Sequence, residues 1–259
     1  MTELEVFALE LAKVAAEASL PHFRTDVSEI NKAEPGSFDP VTEADRAAER
    51  ALRTAINARY PEHGIIGEEY GEENPDADYV WILDPIDGTR AFISGLPLWT
   101  NLISLRHQGV PVIGVVGQPY IGEVFIGGPA GAYLFAGENK TPIRTRKCDA
   151  LSQAIAATTD ADIFLGEDRH SWERLKDTVR MARYGCDAYA YAMLAAGRID
   201  VVLESELKVW DWSALMPLVK AAGGDFTGWD GQMPTIEDGR VLAVGDPALR
   251  DPVLALLKI

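Results

Sequence analysis

Cysteine is nearly absent: Cys148 and Cys186 are the only two in 259 residues. Two thiols cannot build a disulfide framework, and both are expected to be reduced. No apolar run approaches the roughly 18 residues that a membrane span needs. Glu3, Glu5 and Glu10 fall where the apolar segment of a secretory signal would lie. The expectation is a soluble, cytoplasmic protein. Positive charge is also scarce, with 24 Lys and Arg against 40 Asp and Glu and a formal net charge of -16. That balance argues against nucleic acid, whose binding rests on cationic side chains meeting phosphates. An anionic substrate would need much of its counter-charge from something other than this protein's side chains. The four histidines, His22, His63, His107 and His170, show no zinc-ligand spacing. No Gly-x-x-x-x-Gly-Lys-Ser/Thr loop is present, which excludes a P-loop nucleotide site.

What is present is a core-forming fraction, 47% hydrophobic, in a chain long enough for one large domain or two small ones. Thr2 to Arg24 opens on a Thr-x-x-Glu capping box, and Leu4, Phe7, Leu11, Val14 and Ala18 recur at helical spacing. A second helix is predicted from near Thr42 to before Pro61, with Ala44, Ala48, Leu52 and Ile56 on one face. "IIG" and "VWILD" read as short strands. From Thr100 to Arg144, β-rich runs broken by Gly and Pro predict an antiparallel meander. Beyond Arg146, "AIAAT" and "IDVVLE" read as strands. Arg169 to Met181, Asp187 to Ala196, Trp210 to Ala222 and Pro247 to Leu257 read as helices. The expected fold is α+β, a layered αβαβα sandwich. Residues 1–146 would form an N-terminal α+β half and residues 147–259 a C-terminal α/β half, with a site in the cleft between them.

Within "WILDPIDGTRAF", Asp84 and Asp87 stand three residues apart at the end of an apolar run. Carboxylates this close raise each other's pKa unless a cation lies between them. A hard divalent cation such as Mg²⁺ takes such oxygens. Taken alone, the stretch reads more simply as Asp-Gly turn chemistry. Other acids shift the balance: Glu68 and Glu69 after a short strand, Asp39 and Asp45 at a helix start, and Asp211 between two tryptophans at another. Each has a plain account as a surface, first-turn or N-cap acid. All of them, however, sit at junctions where strands become loops or loops become helices. Apolar neighbours predict that Asp84 and Asp211 are at least partly buried, and buried acids need a partner.

"DPVTEAD", "GEE", "DPIDGT", "WD" and "AAGG", in that order, resemble the inositol monophosphatase superfamily over nearly the whole chain. The resemblance implies the sandwich fold of the inositol monophosphatase and fructose-1,6-bisphosphatase type. It implies a Mg²⁺-dependent phosphomonoesterase, usually homodimeric and often inhibited by lithium. Carried over by residue, it implies that Glu68, Asp84 and the Ile86 carbonyl hold one metal and that Asp84, Asp87 and Asp211 hold a second. Glu68 also orients a water, often with a third metal. Thr89 and Asp45 form a hydrogen-bonded pair beside that water, and Gly88 and Thr89 offer backbone N–H groups to phosphate. The cations acidify the water and clamp the phosphate oxygens. A rival phosphatase class uses Asp-x-Asp-Gly-Thr with a nucleophilic first Asp, but here the spacing is one residue longer. An inactive metal-binding relative is the remaining alternative, yet every matched position keeps its expected residue type.

"DGTRAFISGLP" with "GCDAYAY" further resembles the histidinol-phosphate phosphatases of this superfamily. By that resemblance Asp187 and Glu204 line the pocket beyond the phosphate, where two acids would complement a cationic ligand. Their plain alternatives are a first-turn helix acid and a strand-end surface residue. Arg90 joins the substrate-binding set, with a structural bridge to a nearby acid as its alternative. Lys32, in a loop with Pro35, Gly36 and Pro40, is a candidate to close over the site. The expected substrate is histidinol phosphate, with inositol phosphates or other sugar phosphates as alternatives.

Overall fold

A computed structural model describes residues 1–25, 29–31, 40–235 and 239–257. In chain order the elements are α1 (Glu3–Ser19), β1 (Glu29–Asn31), β2 (Pro40–Thr42), α2 (Glu43–Arg59), β3 (Gly64–Gly67), β4 (Gly71–Glu73), β5 (Tyr79–Asp87) and α3 (Thr89–Ile93). A meander follows: β6 (Thr100–His107), β7 (Val110–Gln118), β8 (Glu123–Gly128), β9 (Gly131–Ala136) and β10 (Asn139–Pro142). Then come β11 (Ile155–Thr158), α4 (Glu167–Thr178), β12 (Met181–Tyr184), α5 (Asp187–Ala195) and β13 (Val201–Glu204). The chain ends with α6 (Val209–Ser213), α7 (Leu215–Ala221), β14 (Asp225–Gly228), β15 (Val241–Val244) and α8 (Arg250–Leu257).

Eight strands form one sheet in the order β10-β9-β8-β7-β6-β5-β3-β4, and five form a second in the order β12-β11-β13-β15-β14. The period-2 alternation of strands explains the layering. On β5, Trp81 and Leu83 face a core shared with Phe7, Leu11, Leu52 and Ile56 of α1 and α2. Their neighbours Val80 and Ile82 face the opposite way, into a core with Tyr191, Leu194, Leu215 and Leu218 of α5 and α7. That middle core also receives Val202 of β13, whereas Val201 and Leu203 face a third core with Trp172, Leu175 and Val253 of α4 and α8. Helices, sheet, helices, sheet, helices is the expected sandwich.

Both predicted N-terminal helices start on capping boxes, Thr2 with Glu5 and Thr42 with Asp45. The single helix expected over Trp210 to Ala222 is two, α6 and α7. Pro217 lacks the N–H that would bond the carbonyl of Ser213. That carbonyl instead accepts the Ser104 hydroxyl from β6, at 3.0 Å. The α6–α7 backbone lies directly on the first sheet. A Cβ at Gly114 of β7 would stand 1.8 Å from the Ala214 carbonyl oxygen, and one at Gly127 of β8 would stand 2.3 Å from Leu218 Cα. The helix expected to run to Met181 ends at Thr178, and Met181 opens the edge strand β12. Among the described residues, no helix is long and apolar enough to cross a membrane.

Candidate active site

The pairing of β5 with β6 is regular to Asp84 opposite Leu102 and resumes at Asp87 opposite Thr100. Three steps on β5 therefore face two on β6. The extra residue is a bulge at Pro85–Ile86, and it turns two carboxylates that would point to opposite faces onto the same one. Asn101 of β6 secures the bulge by donating its amide to the Pro85 carbonyl. Asp211, in the first turn of α6, approaches from the helix side. Its Oδ2 accepts the Lys208 N–H at 2.6 Å, which fixes the carboxylate at the helix start. One ligand atom from each of Asp84, Asp87 and Asp211 lies within 4.8 Å of the others.

Asp84 is only 2% exposed, and its Oδ1 is buried without a hydrogen-bond partner. Burial pushes its carboxyl well up, and the charges of Glu68, Asp87 and Asp211 push it further. Asp87 is raised by burial and then by Asp187. An orphaned, buried oxygen among mutually repelling carboxylates is the donor set that a hard divalent cation takes, so these residues fit the metal site that the sequence implies. Glu68 follows β3 and donates its N–H to the Leu83 carbonyl at 3.2 Å, beside Asp84. Ile86 is buried, and its carbonyl accepts the Thr89 hydroxyl at 3.1 Å.

That contact bears on the expected Thr89–Asp45 pair. Thr89 and Asp45 share no hydrogen bond among the described residues. The Thr89 hydroxyl reaches an acceptor three residues back, and Asp45 Oδ2 takes both the N–H and the hydroxyl of Thr42, at 2.8 and 2.6 Å. The capping box of α2 has claimed the carboxylate. Asp45 is nonetheless buried, pushed up to about 6 chiefly by that burial. Its charge is felt at Asp84.

Asp187 and Glu204 line one small cavity together with Asp87, Asp211, Thr159 and Tyr191. Glu204 ends β13 and is 1% exposed, not the surface residue that a strand end could have placed. It accepts the Thr159 N–H at 2.7 Å and the hydroxyls of Thr159 and Thr158 at 3.1 and 3.2 Å. Burial pushes its carboxyl up to about 8, against those hydrogen bonds. Asp187 opens α5 in the left-handed region, φ 43°. Burial pushes it up to about 6, while the exposed Arg90 guanidinium pulls the other way. The next N–H, of Ala188, donates to Asp87 Oδ2 at 2.8 Å, so α5 ties the cavity to the metal-type carboxylates. Gly88 precedes α3 at φ 81°, and a Cβ there would stand 3.2 Å from Asp187 Oδ2.

Two residues that the motifs did not single out matter here. Tyr191 lines the cavity. Glu49 is buried on α2 one turn after Asp45 and holds the corner behind Glu68. A charge at helical spacing on an apolar face was the available signal for Glu49. Lys32 and Asp39 lie outside the described residues.

The inositol monophosphatase family matches residues 1–258. The chloroplastic bifunctional phosphatase IMPL2 of Arabidopsis thaliana is 42% identical over 236 residues, 89% of this chain and 66% of the plant protein, so the chain spans about two thirds of that relative. A histidinol-phosphatase of Chlorobaculum parvum is 32% identical over 253 residues, 96% of this chain and 95% of that one. Among solved structures, an inositol monophosphatase from Zymomonas mobilis superposes with a TM-score of 0.88 at 36% identity, covering 100% of both chains. Sandwich, carboxylate cluster and relatives agree, and the chain belongs to the inositol monophosphatase family.

Proposed function

We propose that this phosphatase hydrolyses a small-molecule phosphate monoester with Mg²⁺ and prefers histidinol phosphate. The observation that carries the reading is the single cavity in which Asp187 and Glu204 join Asp87 and Asp211. Asp84, Asp87 and Asp211, with Glu68 and the Ile86 carbonyl, would hold the cations. Bound there, divalent cations supply the positive charge that this acidic chain lacks and make a water nucleophilic near neutral pH. The backbone N–H groups of Gly88 and Thr89 would meet the phosphate, and Arg90 would extend that wall beside Asp187. Asp187 and Glu204 would meet the leaving group. Both carboxyls are raised by burial, and a cationic partner would draw each back toward its charged form. Histidinol brings an ammonium and an imidazole, and inositol brings only neutral hydroxyls. Hydrogen bonds to charged groups contribute about 1.5–3 kcal/mol, against about 0.5–1.5 for neutral ones.

The test compares kcat/KM for L-histidinol phosphate and myo-inositol 1-phosphate, in the unmodified protein and in Asp187→Asn. Asn tolerates the left-handed backbone at this position, so the variant keeps the turn. It should lose about tenfold more on histidinol phosphate than on inositol 1-phosphate. Equal or better use of inositol 1-phosphate by the unmodified protein would move the assignment to an inositol or broad sugar phosphatase.

A further inference from the structure

Tyr191 stands one helical turn beyond Asp187 on α5, so the two side chains leave the same face of the helix. Its ring is 2% exposed and packs against Phe226 of β14, with centroids 6.0 Å apart. The residue lines the cavity with Asp87, Glu204 and Asp211, and its hydroxyl has no hydrogen-bond partner in the protein. A buried hydroxyl left unpaired is uncommon and costly, and each case calls for a reason. The nearby acceptors are engaged elsewhere. Glu204 accepts from Thr158 and Thr159, Asp87 Oδ2 from Ala188, and Asp211 Oδ2 from Lys208. A phenol is protonated at neutral pH, so this hydroxyl is available as a donor.

We infer that Tyr191 is a specificity-determining residue that donates a hydrogen bond to an acceptor on the leaving group, either an unprotonated ring nitrogen or a hydroxyl oxygen. The inference rests on the reading of this cavity as the leaving-group pocket. It deepens that reading by adding a neutral donor beside the two acids. Asp187 and Glu204 would select for positive charge, and Tyr191 would select for a lone pair beside it.

The experiment compares Tyr191→Phe with the unmodified protein on two esters. Histidinol phosphate carries both an ammonium and an acceptor nitrogen, and phosphoethanolamine carries the ammonium without the acceptor. The variant should lose about tenfold more kcat/KM on histidinol phosphate than on phosphoethanolamine, the effect of one neutral hydrogen bond. Its ligand-free thermal midpoint should rise, because an unpaired buried donor has been removed. Equal losses on the two esters would overturn the inference, as would a lowered midpoint, which marks a packing role. Should the unmodified protein prefer inositol 1-phosphate, the substrate reading has failed. The same ratio taken on that ester, whose hydroxyls also accept, still decides the role of Tyr191.

Discussion

At the residue scale, Asp84 concentrates the conflict that the site is built on. It is buried, one oxygen has no partner, and four other acids raise its carboxyl. Removing that charge should therefore have effects of opposite sign. Asp84→Asn should raise the thermal midpoint of the metal-free protein, because a buried repulsion is relieved. The same variant should lose Mg²⁺-induced stabilisation and orders of magnitude in phosphate release. Thermal melts in EDTA and in Mg²⁺ check both, and a variant still stabilised by Mg²⁺ would remove Asp84 from the ligand set. This acid stood out in the sequence only in company, since its own stretch reads as a turn until the other acids and the family resemblance are added. Thr89 and Asp45, expected as a pair, each bond a nearer partner here, Ile86 of β5 and Thr42 at the start of α2. Tyr191 could not be read at all. Its meaning lies in what the folded cavity leaves unpaired, which no spacing encodes.

At the element scale, the decisive features are breaks in regular structure. The bulge in β5 sets two acids on one face, and Pro217 ends α6 where Asp211 is needed. Pro85 and Pro217 could be seen in the sequence, but the face that each break selects depends on β6, which lies apart in the chain. Strands β12, β14 and β15 were not foreseen, and Met181 of β12 was read as the end of the preceding helix. The corner after β3 depends on α2 in the same non-local way. Glu49 is 0% exposed, accepts the N–H groups of Glu69 and Tyr70 at 2.7 and 3.2 Å, and pairs with Arg53 at 2.8 Å. Glu49→Ala leaves those donors without their acceptor, and breaking a buried pair of this kind costs about 3–5 kcal/mol. The midpoint should fall steeply. Mg²⁺ affinity, measured by calorimetry, should weaken as well, because Glu68 loses the neighbour that holds its corner. The milder Glu49→Gln should recover part of both, and unchanged affinity in a folded Glu49→Ala would confine Glu49 to stability.

For the whole molecule, the acids add up to a dependence on pH. Glu204 is pushed up to about 8 from an ordinary 4.5, and Asp45 and Asp187 to about 6 from 3.8, with Asp84 and Asp87 also raised. The folded, metal-free protein holds protons that the unfolded chain has already released. The stability these groups contribute is complete below about pH 4 and is lost as pH rises toward about 8. In EDTA the thermal midpoint should accordingly fall from about pH 5 to about pH 8, and added Mg²⁺ should raise it more at the higher pH, where the carboxylates are free to bind. A flat EDTA profile would mean that the acids relax apart without metal. The layered sandwich was legible because helical and strand periods alternate along the chain, each face matched to a core. Gly114 and Gly127, on which α6 and α7 rest backbone to strand, bear on how such a chain diverges. The walls that would meet the leaving group belong to α5 and β13, where side chains can be exchanged one at a time. The seat of Asp211 has no such freedom, since even a methyl would overlap the backbone of Ala214 or Leu218. A side chain at either glycine would displace α6 or α7 and, with them, the helix start that holds Asp211.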